Sequence, residues 1–323
     1  MGKGRSLEAK LARLKLLSHE PQSPDAVREL RAALGDASNL LVAEAAQAVT
    51  EANGKELRAD LLAAFDRFLI NPLKTDKLCR AKAAIAEALN RIEYNQVDFF
   101  RQNVHYVQLE PVWGGQQDAA GPLRAACAFA IVRLDHSGAL PVLADLLADS
   151  EKPVRMAAAQ ALVNCMPIAA IPLLRLKARL GDKEPEVVAE CFAALLQLNA
   201  ASAVPFVAEF LDAPDDAICT SAALALGESR RPDAFEHLAK YWNQRGSSRL
   251  PNEVTLAMAL LRLPTATEFL LRLVADTPAS AAAAVAALAV LRHDSQLRPR
   301  VADAVSRTGS ATLKRLFEEK FRV

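Results

Sequence analysis

Aromatic side chains make up only 5 % of this 323-residue chain, and glycine occurs twelve times. That scarcity excludes a turn-rich all-β fold, whose strands favour aromatic and β-branched residues and whose turns draw on glycine. The five cysteines, Cys79, Cys127, Cys165, Cys191 and Cys219, come no closer to one another than 26 residues, which leaves no CxxC zinc or redox motif. Each sits in an apolar helical pattern, which predicts buried free thiols in a reducing compartment and hence a cytoplasmic location. No apolar run reaches the roughly 18–20 residues of a membrane span. The nearest, TPASAAAAVAALAVL at 277–291, is short and dominated by Ala, and reads as a packed helix. The N-terminal MGKGRSLEAKLARLKLLSHE lacks the uninterrupted apolar stretch of a secretory signal. Its first six residues fit the loose M-G-x-x-x-[ST] myristoylation pattern, which is short enough to arise by chance.

Catalytic signatures are missing as well. HExxH, the phosphate-binding GxxxxGK[ST], GxGxxG and the GxSxG nucleophile turn are all absent. The five histidines are scattered, and Ser18-His19-Glu20 holds the one His-Glu dipeptide. Neither a metal-ligand set nor a cofactor site is expected, and no Ser/His/Asp set suggests itself.

What the chain has in abundance is Ala, Leu and Val, arranged in a repeat. ALPVLADLL (139–147), AIPLLRLKARL (170–180) and AVPFVAEFL (203–211) open alike, with Pro141, Pro172 and Pro205 spaced by 31 and 33 residues. Proline is tolerated in a first helical turn, so each segment reads as the start of a first helix. A second pattern follows each one: DSEKPVRMAAAQAL (149–162), DKEPEVVAECFAAL (182–195) and DAPDDAICTSAALAL (212–226). In these, Val154, Val187 and Ile218 lead to Leu162, Leu195 and Leu226, always eight residues later and mostly across Ala. Small side chains on one face let helices approach closely, and the opening Asp suits a helix start. DASNLLVAEAAQAV (36–49), DKLCRAKAAIAEAL (76–89) and DAAGPLRAACAFAI (118–131) keep the same offsets, while 254–263 and 280–291 are weaker copies. Two helices per 31–33 residues predict an all-α, right-handed α-α superhelix of about nine pairs. The expected organisation is a capping helix over 1–22, with Leu7, Leu11 and Leu14 on one face, followed by an array over 23–323.

These landmarks resemble the HEAT-repeat family, including the HEAT-like repeats of phycobilisome lyases. The likeness rests on the first-helix prolines and on an Asp followed six residues later by a cation: Asp118/Arg124, Asp149/Arg155 and Asp76/Lys82. It implies that Asp118, Arg124, Asp149 and Arg155 form a structural ladder between adjacent repeats. Asp182 departs from the pattern, because Val188 stands where its cation belongs. The resemblance implies a fold and a habit of binding, not a reaction. HEAT-like deoxyhypusine hydroxylases use several His-Glu motifs to hold iron, and this chain has one.

The array is interrupted once. HYVQLEPVWGGQQ falls between the first helix QVDFFRQNV and the second helix that follows Asp118. Glu110-Pro111 and Gly114-Gly115 predict an irregular insertion loop over 104–117, with Trp113 as its anchor. His105, Tyr106, Gln108 and Glu110 would present polar groups beside it as a candidate binding patch. The structural alternative is that Trp113 and Tyr106 fold back to plug a gap in the core.

Charge is uneven despite the overall +1: residues 1–103 carry a net +2, residues 104–233 a net −6 and residues 234–323 a net +5. The basic C-terminal stretch suits a solvated capping pair or a phosphate contact. The acidic middle argues against nucleic acid tracking along the whole groove. The expected function is a non-enzymatic scaffold that recognises a protein partner through a concave face and the 104–117 loop. Two alternatives rest on fold-level likeness: a nucleic-acid binder related to HEAT-like alkylpurine DNA glycosylases, which read DNA with basic grooves and Trp platforms, or a bilin-lyase-like protein.

Overall fold

The computed structural model describes residues 2–17, 23–245 and 248–322, with the backbone alone at 2–6, 136 and 137. The chain is all-α apart from one two-stranded hairpin among the described residues, and it divides into two compact units, residues 1–166 and 167–323. Ser18-His19-Glu20 and the end of the expected 1–22 cap lie outside the described residues.

The first unit opens with α1 (Gly2–Leu17), α2 (Pro24–Leu34) and α3 (Asn39–Ala48). Leu14 and Leu17 of α1 are buried, and the helix packs on α3. Then come α4 (Glu51–Leu69), the short α5 (Pro72–Thr75), α6 (Arg80–Arg91) and α7 (Val97–Asn103). The hairpin of β1 (Leu109–Val112) and β2 (Gly115–Asp118) precedes α8 (Gly121–Leu134), α9 (His136–Leu146) and α10 (Lys152–Leu162). The second helices α3, α6, α8 and α10 stack side by side in chain order, each on the one before.

The second unit repeats the plan with α11 (Pro167–Leu180), α12 (Pro185–Ala208), α13 (Asp216–Glu228), α14 (Pro232–Arg245) and α15 (Pro251–Leu260), then α16 (Pro264–Asp276), α17 (Pro278–Leu288), α18 (Leu297–Thr308) and α19 (Ala311–Lys320). Helix α12 is two helices joined at Asn199, whose φ of −158° and ψ of 84° break the helical backbone. The Asn199 carboxamide oxygen accepts the Ser202 N–H at 3.3 Å and so starts the next helix. Its first half, α13, α15, α17 and α19 make the second stack.

The residues 185–212 form the one described helical stretch long and apolar enough to cross a membrane. The Asn199 break divides it into pieces shorter than a span, and half of its apolar window lies in the protein core. This stretch, rather than 277–291, is therefore the nearest approach to a membrane-length segment.

Proline sets many helix starts: α2, α5, α12 and α14 to α17 all begin with one, where its missing N–H has no helical partner to lose. Pro141, Pro172 and Pro205 behave otherwise and correct the first-turn expectation. Each stands inside its helix, six residues after the residue that precedes the helix: Asp135, Met166 and Asn199. The helices start about one turn earlier than the prolines suggest: a polar side chain, Asp135 or Asn199, opens two of them, and another proline, Pro167, opens the third. The Asp135 carboxylate, for example, accepts the Gly138 N–H at 3.0 Å. Each of these prolines removes one internal hydrogen bond at the same place in three successive first helices.

Small residues set the closeness of the stacks. Ala158 is 0 % exposed and Ala194 3 %. A Cβ at Gly227 of α13 would lie 2.4 Å from the Ala257 carbonyl oxygen of α15, so only glycine permits that approach. Arginines reach back to close the ends of earlier helices. Arg67 donates to the Leu34 carbonyl at 2.7 Å, Arg91 to that of Val49 at 2.8 Å and Arg133 to that of Tyr94 at 2.9 Å. The Leu34 and Val49 carbonyls lie at the ends of α2 and α3, where the helix offers them no partner, and Tyr94 lies in the loop that follows α6. All five thiols are buried and free. Burial pushes Cys79 and Cys191 up to about 12, so both remain protonated and unreactive at neutral pH.

Because Ala158 is wholly buried in the stack, Ala158→Leu is expected to destabilise the first unit by about 1–3 kcal/mol through overpacking. Urea denaturation followed by circular dichroism measures this; an unchanged midpoint would mean the stack there is loose.

Candidate functional site: the hairpin and its root

Residues 104–118 leave α7 and return as a β-hairpin, which corrects the expected irregular loop. Leu109 pairs with Asp118, Glu110 with Gln117, Pro111 with Gln116 and Val112 with Gly115. Pro111 is tolerated because a strand in a two-stranded ribbon has an outer edge that needs no donor. The two-residue turn is Trp113-Gly114, and Gly114 supplies the positive φ of 88° that its second position requires.

Trp113 at the tip is 103 % exposed, fully in solvent. It plugs nothing, so that alternative fails for Trp113. Leu109, Pro111 and Val112 of β1 are exposed too. His105 is exposed and joins no hydrogen bond or ion pair among the described residues. Gln108 moves the other way: it is 2 % exposed and belongs to the root rather than to the presented surface. Its Nε2 donates to the Asp76 carbonyl at 2.8 Å and to Glu110 Oε1 at 2.7 Å. Its backbone N–H donates to Asp118 Oδ1 at 2.9 Å, and its carbonyl accepts the Ala119 N–H at 2.9 Å. Glu110 Oε1 also accepts the Leu78 N–H at 2.6 Å. Tyr106 is half-buried: its phenol donates to Gln108 Oε1 at 3.4 Å, and its ring lies 5.4 Å from the Lys82 ammonium. Burial first, then the nearby Cys79, Asp76 and Asp118, push Tyr106 up to about 12, so it stays a neutral donor.

The hairpin thus stands on the preceding helix pair. Leu78 and Cys79 there adopt φ of 62° and 50°, left-handed values that are uncommon for non-glycine residues. Two carboxylates hold this bend. Asp76 Oδ1 accepts the Ala81 N–H at 2.8 Å, while Oδ2 accepts the wholly buried Lys82 ammonium at 2.8 Å. Glu110 holds the Leu78 N–H from the hairpin side. Nothing in the spacing of the sequence marks Leu78; Asp76 and Lys82 were visible only as a repeat landmark.

Behind the hairpin lies the ladder. Arg124, 2 % exposed, binds Asp118 Oδ2 at 2.6 Å, both oxygens of Asp149 at 2.9 Å and the Tyr106 carbonyl at 2.9 Å. One guanidinium therefore ties its own repeat, the next repeat and the foot of the hairpin. Arg155 donates to the carbonyls of Asp149 and Ser150, not to the Asp149 carboxylate, which corrects the simple Asp149/Arg155 pairing. At Asp182, Lys177 of α11 supplies the cation missing from position 188, at 2.7 Å. Asp36, Asp118, Asp149 and Asp182 share a further contact: each accepts the N–H of the residue two positions on, at 2.8–2.9 Å. At Asp118, burial raises the carboxyl's pKa, but the N–H groups of Gln108 and Ala120 and the Arg124 guanidinium outweigh it and hold the group below its ordinary range. These groups brace one another and fix the foot of the hairpin.

Residues 116–176, from β2 into α11, match the family model for HEAT repeats, and the chain is an all-α helical repeat protein. A solved engineered protein is similar at 18 % identity, over 98 % of this chain and 96 % of that one, with a TM-score of 0.39. The complex of CpcE and CpcF of phycocyanin lyase from Nostoc sp. PCC7120 is similar at 21 % identity, over 74 % and 93 %, with a TM-score of 0.37. No curated protein matches the sequence. Neither structural likeness assigns an activity to this chain.

The lowered Asp118 carboxyl gives a pH dependence with a definite sign. In the unfolded chain this group binds its proton at higher pH than in the fold, so its contribution is present above the unfolded carboxylate range and is lost as pH falls through the folded value. Arg124→Ala removes the cation from two part-buried carboxylates and is expected to destabilise by about 3–5 kcal/mol. Denaturant titrations at neutral and acid pH check both; the variant should lose part of the acid-dependent decline as well as its stability.

Proposed function

We propose that this chain is a non-enzymatic binding scaffold that takes a protein partner on the hairpin of residues 109–118, with Trp113 as the principal contact. The observation that carries the reading is a fully exposed tryptophan at the tip of a turn whose root is fixed by buried hydrogen bonds. A tryptophan that packs against nothing in its own chain contributes no core stability, yet its burial by a partner gives about 2 kcal/mol or more of binding energy. The fixed root lowers the ordering penalty that a mobile loop would incur on association. Leu109, Pro111 and Val112 extend the apolar contact, while Gln108 and Tyr106 act from beneath as supports. His105 has no supporting contact and enters only as a rim residue.

The nucleic-acid alternative gains less support. In the basic C-terminal stretch, Arg300 pairs with Glu268 and Arg307 with Asp303, which reduces the charge available to phosphates. The bilin-lyase alternative has no residue in this chain to rest on.

The test is Trp113→Ala, followed by two measurements. Melting should stay within about 0.5 kcal/mol of the parent, as for a surface substitution. Capture of proteins from the native host, compared quantitatively between parent and variant, should lose its specific partner. A large loss of stability, or an undiminished capture of the same partner, would remove the hairpin as the contact. Retention on heparin that collapses between low and high salt would transfer the surface to nucleic acid.

A further inference from the structure

Where the hairpin meets the starts of α8 and α10 there is a half-open groove of about 300 Å³. Leu78, the β1 residues Pro111 and Val112, and Pro153 are among its lining. Leu78 is 60 % exposed, so an apolar residue in a strained, left-handed backbone faces solvent here instead of packing. The groove's lining holds the carboxylates of Glu110, Asp118 and Glu151 and no cation. Asp118 is neutralised by Arg124, but Glu110 and Glu151 form no ion pair among the described residues. Glu110 accepts its two hydrogen bonds on Oε1 alone, and neither donor, an amide side chain and a backbone N–H, offsets its charge. Trp113, at the tip of the hairpin, follows the lining residue Val112 directly in the chain.

Apolar walls, two uncompensated carboxylates and an adjacent open indole face are together complementary to one kind of side chain. Lys and Arg lay an aliphatic stem along apolar surface while their charged end seeks carboxylates, and a cation is also attracted to the face of a tryptophan. An acidic partner would meet like charge in the groove, and a purely apolar one would strip water from both carboxylates without return.

We infer that the groove is the specificity pocket of the hairpin surface, and that its occupant is a partner segment presenting an Arg or Lys side chain next to an apolar residue. This inference rests on the hairpin reading and adds the chemistry of the partner to it. Glu151 and Glu110 receive the cation, Leu78, Val112 and Pro153 receive the stem and its apolar neighbour, and Trp113 covers the segment from the tip. The lining also makes the selection charge-reversible. Glu151 takes no part in the hydrogen bonds that root the hairpin, so its sign can be changed while the root is left in place.

The experiment is a selection from a random dodecapeptide display library on the full chain, run in parallel on the parent, Glu151→Lys and Trp113→Ala, with melting measured for each. Parent-selected peptides are expected to be enriched in Arg or Lys beside an apolar residue, and a synthetic copy of the most enriched peptide should bind Glu151→Lys about tenfold more weakly, equivalent to about 1.4 kcal/mol. Glu151→Lys should lose the basic enrichment and gain acidic peptides. Glu151→Gln, which keeps shape without charge, should fall between the two and serves if the lysine variant melts early. Peptides without basic bias, no recovered binders, or equal affinity for parent and Glu151→Lys would overturn the inference. If such unbiased peptides still need Trp113, the hairpin reading stands and only the pocket fails. If the selected peptides bind Trp113→Ala undiminished, the hairpin reading fails with it.

Discussion

The Arg124 guanidinium holds together parts of the chain that no single helix could align. A buried cation is costly unless its donors are met, and here Asp118, Asp149 and the Tyr106 carbonyl meet them from three directions. Because the planar fork has fixed donor directions, it sets the relative position of two successive second helices and of the chain leaving α7. A lysine could satisfy the charge but not the geometry. Lys82 occupies the equivalent place one repeat earlier and binds a single carboxylate, Asp76, with the Phe68 carbonyl as its other partner. The hairpin grows from the junction of these two nodes, between a bend held by Asp76 and a strand held by Asp118.

Much of this was legible in the sequence. The Asp landmarks were read at 36, 76, 118, 149, 182 and 212; the first five carboxylates work at or near the start of a second helix, whereas α13 is capped by Asp215 and Asp212 pairs with Arg245 instead. The buried alanines followed from the periodicity, as did the five buried thiols. The hairpin did not. Val-Trp-Gly-Gly between a proline and two glutamines carries too little alternation to announce strands, and Pro111 argues against one unless the strand has a free edge. Gln108 was misread for a similar reason: a polar residue in a polar segment looks exposed, and only the Asp76 carbonyl, 32 residues earlier, turns it inward. The arginines that close earlier helices were missed because an arginine at a helix end already has a sufficient local explanation in the helix dipole.

The three prolines show a different limit. Their spacing gave the repeat correctly, since one local arrangement recurs in three successive first helices. Their position within the helix was read one turn late, because the rule for proline at helix starts is statistical, whereas Asp135 and Asn199 open their helices by specific hydrogen bonds. A periodic landmark thus fixes the period of an array without fixing the phase.

The placement of the two tryptophans has an optical consequence. Trp113 is wholly in water at the tip of the hairpin, and Trp242, 5 % exposed, is packed in α14 of the second unit. Indole emission is red-shifted in water and blue-shifted in an apolar interior, so the native protein carries two separable fluorophores without any label. A soluble quencher such as iodide reaches the first and is kept from the second. The long-wavelength component therefore registers what happens at the hairpin, and the short-wavelength component registers whether the second unit is still folded.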